Sequence, residues 1–296
     1  MKIGLALLVA PRAMIDLGVT ADRYGFESVW LPDHLMIPAS EDRLGITNEG
    51  SDTRDDPAEP HGSSVSGRLG WVDPLVMIAA LSQRAHTVML GTWIYNLALR
   101  HPLVVARSLA AIDLLAPGRM IFGAAAGWVR EEYDAVGVHF EDRGRVVDES
   151  LDVLEGLWRQ EVFGWDGASF TIPPVEFNPK PSQGRVPVFV GGESPRALRR
   201  AAERSDGWAG GWHTVETAKA VITMLREACR NAQRDFDSLE ITLAARPKDM
   251  AEIHAYEALG VDRLIITPWE SPRRAKEGVE RFAQSDMGRR LLDQAE

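Results

Sequence analysis

Eight short apolar runs, separated by segments of helical periodicity, constrain the fold of this chain more than any other feature of its 296 residues. Each run is continuous instead of alternating with polar residues, which is typical of parallel strands covered on both faces. The strands predicted in this way are Ile3–Val9, Ser28–Leu31, Val88–Ile94, Met120–Ala125, Val186–Val190, Gly207–Ala209, Ile241–Ala244 and Arg263–Thr267.

Helical patterns fill the intervals between the runs, and Pro, Ser or Thr residues mark several helix starts. The clearest helices are Ala13–Tyr24, one that begins at Pro102 and ends before Pro117, Arg196–Glu203 after Ser194-Pro195, and Val215–Ala232 after Thr214. This alternation continues without a change in composition. It therefore predicts one α/β domain over residues 1–296, a closed (β/α)8 TIM barrel.

A doubly wound sheet is the alternative fold. Such a sheet usually carries a glycine-rich loop after its first strand, and this chain has Ala10-Pro11-Arg12 there. It would also need an unusually large number of strands, so the barrel is favoured.

Two segments depart from the repeating unit. His34–Val72 follows the second strand, so it is expected to rise from the C-terminal face of the barrel, where active sites form. Its acidic part, Glu41–Glu59, is compatible with a solvated loop or with a lid over the substrate. Phe163–Gln183 is rich in proline and aromatic residues, and it is interpreted either as aromatics packed across the barrel mouth or as a structural segment.

Composition excludes several classes of protein. The net charge of −10 argues against a nucleic-acid partner, because phosphate binding needs a basic face. The apolar N-terminus is too short to span a bilayer and lacks the features of a signal peptide, so no membrane association is expected. The one cysteine, Cys229, lies in a helical pattern and is expected to be a buried structural thiol. We expect a cytoplasmic enzyme acting on a small molecule.

The sequence lacks the motifs of several common chemistries. No His-Glu-x-x-His pattern or cysteine cluster indicates a metal site, and neither a Gly-x-Ser-x-Gly elbow nor a Walker loop is present. Asp33-His34 is the most informative pair, since it ends the second strand, where a barrel places reactive groups. His34 can exchange a proton near neutral pH while Asp33 orients it, or it can simply bond a loop carbonyl.

Four stretches, in this order, resemble the luciferase-like monooxygenase superfamily, and most closely its branch that uses the deazaflavin coenzyme F420. The first stretch runs from Ala21 to His34, and the second comprises Leu90–Ile94 with Leu99–Pro102. The third runs from Arg119 to Trp128 with Glu132-Tyr133, and the fourth comprises Pro187–Gly192, Ala201–Glu203 and Asp206–Trp208. Any one alone is a weak signal, but together they span most of the chain.

The resemblance implies an oxidoreductase that transfers a hydride between F420 and a small organic substrate, and it implies a homodimer. It leaves two alternatives open, an FMN-dependent monooxygenase using molecular oxygen and a flavin-binding barrel without turnover. The cofactor supplies the hydride chemistry, while the protein orients its ring and excludes water.

The resemblance also indicates a set of site residues. It implies that Asp33 and His34 are catalytic and lie at the cofactor, and that a cis peptide between Trp93 and Ile94, after Thr92, backs the cofactor ring. Gly127-Trp128 offers close backbone approach and a flat apolar wall. Gly191, Gly192, Glu193 and Ser194 form a strand–turn–helix start, whose N–H groups suit the cofactor phosphate.

Two departures from the family pattern bear on the ligand. Relatives that bind flavin often carry an arginine before the glycine at position 127, and this chain has Ala126, which favours F420 over FMN. Sugar-phosphate dehydrogenases of the F420 branch carry a glutamate after that glycine, and this chain has Trp128, which disfavours glucose 6-phosphate. Glu193 is expected to point away from a phosphate because its charge would repel it.

Overall fold

The computed structural model describes residues 1–38 and 70–292. Its principal feature is a closed barrel of eight parallel strand positions, which confirms the predicted (β/α)8 fold. The barrel strands are β1 (Lys2–Ala6), β2 (Ser28–Leu31), β3 (Met89–Thr92) with its extension β4 (Tyr95–Asn96), β5 (Met120–Ala125), β8 (Val188–Gly191), β9 (Gly207–Trp212), β10 (Glu240–Ala244) and β11 (Arg263–Ile266). β11 pairs with β1, and β3 pairs with β5, so the ring is complete.

The helices alternate with these strands. They are α1 (Pro11–Arg23), α2 (Pro74–Ser82), α3 (Pro102–Leu115), α4 (Arg130–Val136), α5 (Arg143–Arg159), α6 (Pro195–Arg204), α7 (Val215–Asn231), α8 (Met250–Ala258), α9 (Ala275–Gln284) and α10 (Asp286–Leu292). The predicted caps are present: Ser194 accepts a hydrogen bond from the Ala197 N–H, and Thr214 forms a capping box with Thr217. Cys229 is buried in α7, as predicted. Within residues 1–38 and 70–292, no helix is long and apolar enough to cross a membrane.

The third barrel strand is interrupted, whereas the sequence predicts one continuous strand over Val88–Ile94. β3 ends at Thr92, the peptide bond between Trp93 and Ile94 is cis, and pairing with β5 resumes at Tyr95. The cis bond lies at the position that the resemblance implies. The two residues of the interruption, Trp93 and Ile94, pack against the apolar side chains inside the barrel.

A separate apolar cluster fills the inside of the barrel. Its buried members are Ala6, Trp30, Ile121, Phe189, Ala209, Ala244 and Ile265. Gly4 and Gly91 leave room for the Trp30 ring, because a Cβ atom at either glycine would lie under 3.0 Å from it. Four partly buried side chains at strand ends cover this cluster at the C-terminal face: Leu8, Trp93, Ile94 and Trp212. They form the floor of the barrel mouth.

The segment Phe163–Gln183 forms a hairpin of β6 (Val162–Asp166) and β7 (Thr171–Glu176). Phe163 packs against Gly156 of α5, and Arg107 of α3 lies over the Phe177 ring. Glu149 of α5 accepts hydrogen bonds from Trp165 Nε1 and the Phe170 N–H. The interpretation that these aromatics cross the barrel mouth is therefore wrong, since they cover α3 and α5. Most of the other insertion, including Glu41–Glu59, lies outside the described residues.

Candidate active site

His34 lies at the barrel mouth, on the loop that leaves β2, and a glutamate from α4 holds its ring. The His34 Nδ1 atom is 3.1 Å from Glu132 Oε2, and the Glu132 side chain is fully buried. The other carboxylate oxygen, Oε1, accepts hydrogen bonds from the Leu35 N–H at 2.6 Å and the Met36 N–H at 3.3 Å. Because a carboxylate can only accept, Glu132 favours the Nδ1–H tautomer and leaves the lone pair on Nε2, which has no hydrogen-bond partner among residues 1–38 and 70–292.

Asp33 does not orient His34, so that prediction is wrong. Its side chain is fully buried and accepts hydrogen bonds from Arg100 Nη1 at 2.5 Å, Arg100 Nη2 at 2.8 Å and the Asn96 N–H at 2.8 Å. Burial lowers the pKa of Arg100, but the hydrogen bonds and the charge of Asp33 raise it above its ordinary value, whereas burial raises the pKa of Asp33. Asp33 therefore joins the β2 loop to the segment after β4. A fully buried side chain cannot touch a cofactor.

Two tryptophans enclose the His34 ring. The Trp71 and Trp128 rings each meet it edge to face, with centroid distances of 4.7 Å and 5.5 Å. His34 is consequently only 9% exposed, whereas Trp128 is 38% exposed and offers a free indole surface to a ligand. The two aromatic rings restrict the water around the His34 ring.

The residues around the cis peptide divide into structural and accessible ones. Thr92 is fully buried and its hydroxyl donates to the Gly123 carbonyl at 2.8 Å, so this side chain holds two strands together, and its contact with the cofactor stays a prediction. Trp93 extends across the mouth, where its Nε1 donates to the Gly210 carbonyl at 3.0 Å. Ile94 lies against Gly191, where a Cβ atom would come within 2.8 Å of it. Trp93 and Ile94 therefore present the apolar surface on which a planar ring can rest.

The backbone conformation at Gly127 and the close packing around it both require glycine. Its φ of +68° is unfavourable for other residues, and a Cβ atom there would lie 2.8 Å from the Tyr133 hydroxyl and 2.9 Å from Asn96 Oδ1. Tyr133 and Asn96 fill the space in the Cβ direction, and the close approach of a ligand to the Gly127 backbone stays a prediction. The exposed surface next to Gly127 belongs to the Trp128 ring.

The turn from Gly191 to Ser194 connects β8 to α6 and remains the best candidate for an anion. Gly192 is exposed with a φ of +99°, and its carbonyl accepts from Trp208 Nε1 at 2.9 Å. The Ser194 oxygen caps α6 and keeps its proton for donation to a ligand. A positive helix end, a Cα atom without a side chain and a hydroxyl donor therefore meet at one exposed turn.

Glu193 faces inward from this turn. Its Oε1 atom lies 3.0 Å from His213 Nε2 and accepts from the Gly211 N–H at 3.1 Å. Burial alone would raise the pKa of Glu193, but these hydrogen bonds hold it below its ordinary value. Its side chain is occupied by protein partners, so its charge is directed at His213 and Gly211. Arg196, the nearest basic residue of the turn, is exposed.

Sequence reasoning missed three contributors to the site. Glu132 was noted within a motif and as an alternative proton carrier but not as the partner of His34, Trp71 was placed in a loop, and Trp212 was given no role. The spacing of Glu132-Tyr133 behind Gly127-Trp128 was the available signal for the first. Trp212 and Trp71 carried no signal, because their positions depend on how distant strand ends meet.

Comparison with known proteins identifies the family of this barrel. A family model described as luciferase-like monooxygenase matches residues 4–248. The chain belongs to the luciferase-like monooxygenase family.

Individual relatives are more distant. An uncharacterised protein of Mycobacterium tuberculosis (strain ATCC 25618 / H37Rv) is 29% identical over 67% of this chain and 64% of its own length. An F420-dependent glucose-6-phosphate dehydrogenase of Microbacterium testaceum is 26% identical to this chain. The matched region covers 67% of this chain and 52% of that enzyme. The structure of a coenzyme F420 dependent tetrahydromethanopterin reductase from Methanopyrus kandleri superposes with a TM-score of 0.72 at 14% identity, covering 96% of this chain and 97% of that one. This last likeness establishes the shared fold.

Proposed function

We propose that this protein is an oxidoreductase that moves a hydride between coenzyme F420 and a small organic substrate. The observation that carries the proposal is the His34 ring, oriented by the buried Glu132 carboxylate at the mouth of a luciferase-like barrel. The F420-dependent dehydrogenase among its relatives and the Ala126 in place of an arginine support this choice over FMN.

The residues present fit such a cofactor. Trp93, Ile94 and Trp212 supply an apolar floor for a flat ring, and the Gly192 turn supplies donors for a phosphate. When bound, the deazaflavin supplies the carbon that gives or accepts the hydride. Trp128 and Trp71 limit water at the reacting face, and His34 Nε2 accepts or returns the substrate proton. Glu132 fixes the ring that carries this proton.

The cofactor assignment predicts that the purified chain binds F420 more tightly than FMN. We expect this because no arginine lies at position 126 to pair with an FMN phosphate. Equilibrium titration of the cofactor-free protein with each compound measures the two dissociation constants. Tighter binding of FMN would favour the alternative of an FMN-dependent monooxygenase. Tight F420 binding without turnover of any substrate would favour the non-catalytic barrel.

The phosphate position predicts that Gly192→Val weakens F420 binding at least tenfold, about 1.4 kcal/mol. A side chain there would cover the exposed N–H groups that the anion needs. Gly184→Val is the matched control, because Gly184 also has a positive φ, +75°, and lies away from the mouth with nothing within 4 Å. Equal losses of affinity in the two variants, or no loss in Gly192→Val, would place the phosphate elsewhere.

The homodimer stays a prediction. Val76 on α2 and Val104 and Leu114 on α3 are each more than half exposed, and these two helices pack side by side. An exposed apolar face of this kind is typical of protein interfaces. Light scattering of the purified chain would show a mass twice that of the monomer if this face pairs two copies.

A further inference from the structure

The proposed cofactor and proton-transfer residues occupy only part of the barrel mouth. His34 follows β2, Ile94 follows β3, Trp128 follows β5 and Gly192 follows β8. The ends of β9, β10 and β11 make up the opposite arc, which carries Trp212, Arg246 and Thr267. Because β10 and β11 pair with β9 and β1, this arc reaches from the cofactor side back to the strand beside His34.

Arg246 and Thr267 are inward-facing neighbours. Ala244 and Ile265 belong to the cluster inside the barrel, are paired in register, and each precedes one of these residues by two positions. Since strand side chains alternate with a period of two, Arg246 and Thr267 continue the inner face above that cluster. The Ala245 N–H donates to the Ile265 carbonyl at 3.0 Å, which keeps the two strand ends side by side.

The Arg246 guanidinium lies on an aromatic face. Its Cζ atom is 4.9 Å from the centroid of the Trp212 ring, and Trp212 itself meets Trp93 edge to face at 5.8 Å. Among residues 1–38 and 70–292, no carboxylate forms an ion pair with Arg246, although many exposed arginines of the same chain have such partners. Stacking orients the planar group and leaves its N–H donors directed outward.

The Thr267 hydroxyl also has no hydrogen-bond partner among residues 1–38 and 70–292. The residue is only 8% exposed, and no hydrogen bond to Oγ1 is formed within the described part of the chain. Buried hydroxyls are nearly always bonded, so an orphan one beside a functional mouth needs an explanation. Oγ1 is buried in the observed rotamer, so the hydroxyl donates to a group bound above it only after rotation about the Cα–Cβ bond.

We propose that Arg246 and Thr267 form a subsite for the anionic group of the substrate, a carboxylate or a phosphate ester. The inference rests on the proposed function and names its substrate class. A guanidinium held flat on tryptophan, with a hydroxyl donor on the next strand, matches the planar oxygens of a carboxylate or two oxygens of a phosphate. An anion held there directs the rest of the substrate toward His34 across the mouth.

The test uses cofactor-free protein, so its result does not depend on whether F420 is the cofactor. The full chain is titrated with benzoate and, separately, with inorganic phosphate, while NMR follows the indole N–H signal that Trp212→Phe removes. We expect binding of one probe or both to shift this signal. Arg246→Gln is expected to weaken that binding at least tenfold and Thr267→Val at least threefold, with the fold intact by circular dichroism. Arg290→Gln, an exposed arginine on α10, is the matched control and should change nothing.

The two probes separate the sources of the anion. Binding of benzoate identifies a carboxylate substrate, and binding of phosphate that survives Gly192→Val identifies a phosphate ester. The proposal is overturned if neither probe shifts the Trp212 signal, if either Arg246→Gln or Thr267→Val leaves affinity unchanged, or if Arg246→Gln instead weakens F420 binding. Failure of F420 to bind at all would overturn the proposed function but would leave the anion result standing.

Discussion

Replacing His34 with alanine is expected to lower kcat by roughly 10²–10⁴-fold, the range that a positioned general acid or base contributes. The reason is that Nδ1 is already bonded to Glu132, so Nε2 is the ring nitrogen left for proton transfer. F420 affinity should change by less than about threefold, since the phosphate turn and apolar floor are untouched. Steady-state kinetics on the first substrate that turns over the cofactor, together with a cofactor titration, measure both quantities.

Two further variants separate chemistry from structure. His34→Gln retains a donor for Glu132 but has no group that exchanges a proton near neutral pH, so it should be as slow as His34→Ala while more stable. His139→Ala removes an exposed histidine near α4 and should retain full activity. Full kcat in His34→Gln would show that His34 takes no part in the mechanism. If only His34→Ala is impaired, and it loses both stability and cofactor affinity, the role of His34 is structural.

The barrel was predictable because it depends on short-range patterns. Continuous apolar runs and helix caps such as Ser194 and Thr214 are read from neighbouring residues, and both recur in the structure. The hairpin after α5 was not predicted, since Pro173 and Pro174 argue against a strand in any position except an edge. Both strands of a two-stranded ribbon are edge strands, so the prolines are tolerated. The buried Glu149 carboxylate holds the turn of the hairpin by hydrogen bonds that cannot be predicted from neighbouring residues.

The position of His34 at the barrel mouth was predictable, but its hydrogen-bond partner was not. The end of β2 was correctly expected to reach the mouth because barrel strands all end there. The choice between Asp33 and Glu132 as the partner of His34 depended on a contact across 98 positions of the chain. Asp33 is adjacent in sequence, yet successive side chains on an extended chain point in opposite directions, so it faces Arg100 while His34 faces the mouth. Adjacency was therefore the wrong guide.

Replacing Glu132 is expected to have the second large effect, a loss of both stability and activity. Glu132→Ala removes the acceptor for His34 and for two backbone N–H groups, Leu35 and Met36, and leaves these donors partly buried without a partner. We expect the free energy of unfolding to fall by about 3 kcal/mol, from the loss of hydrogen bonds to a buried charge. Chemical denaturation measures this loss, and kcat of the folded fraction should fall as well, because the β2 loop no longer holds His34 in place.

Glu149 is the matched control for this effect. It is also a buried helix glutamate that fixes a loop, through Trp165 Nε1 and the Ser169 and Phe170 N–H groups, but this loop belongs to the β6–β7 hairpin and not to the segment that carries His34. Glu149→Ala should therefore cost comparable stability while the remaining folded protein keeps its kcat. A loss of kcat in both variants would mean that activity follows stability alone.

Glu132→Gln tests the electrostatic part of the role. Its amide oxygen can still accept from Leu35 and Met36, but its NH₂ group then faces His34 Nδ1, which must become the acceptor. The proton consequently moves to Nε2 of His34, the atom we assign to proton exchange. We expect ¹⁵N NMR of the labelled imidazole to show this change of tautomer and kcat to fall at least tenfold, with little loss of stability. If the tautomer changes while kcat does not, Glu132 only shapes the loop, and the free Nε2 lone pair is not required for turnover.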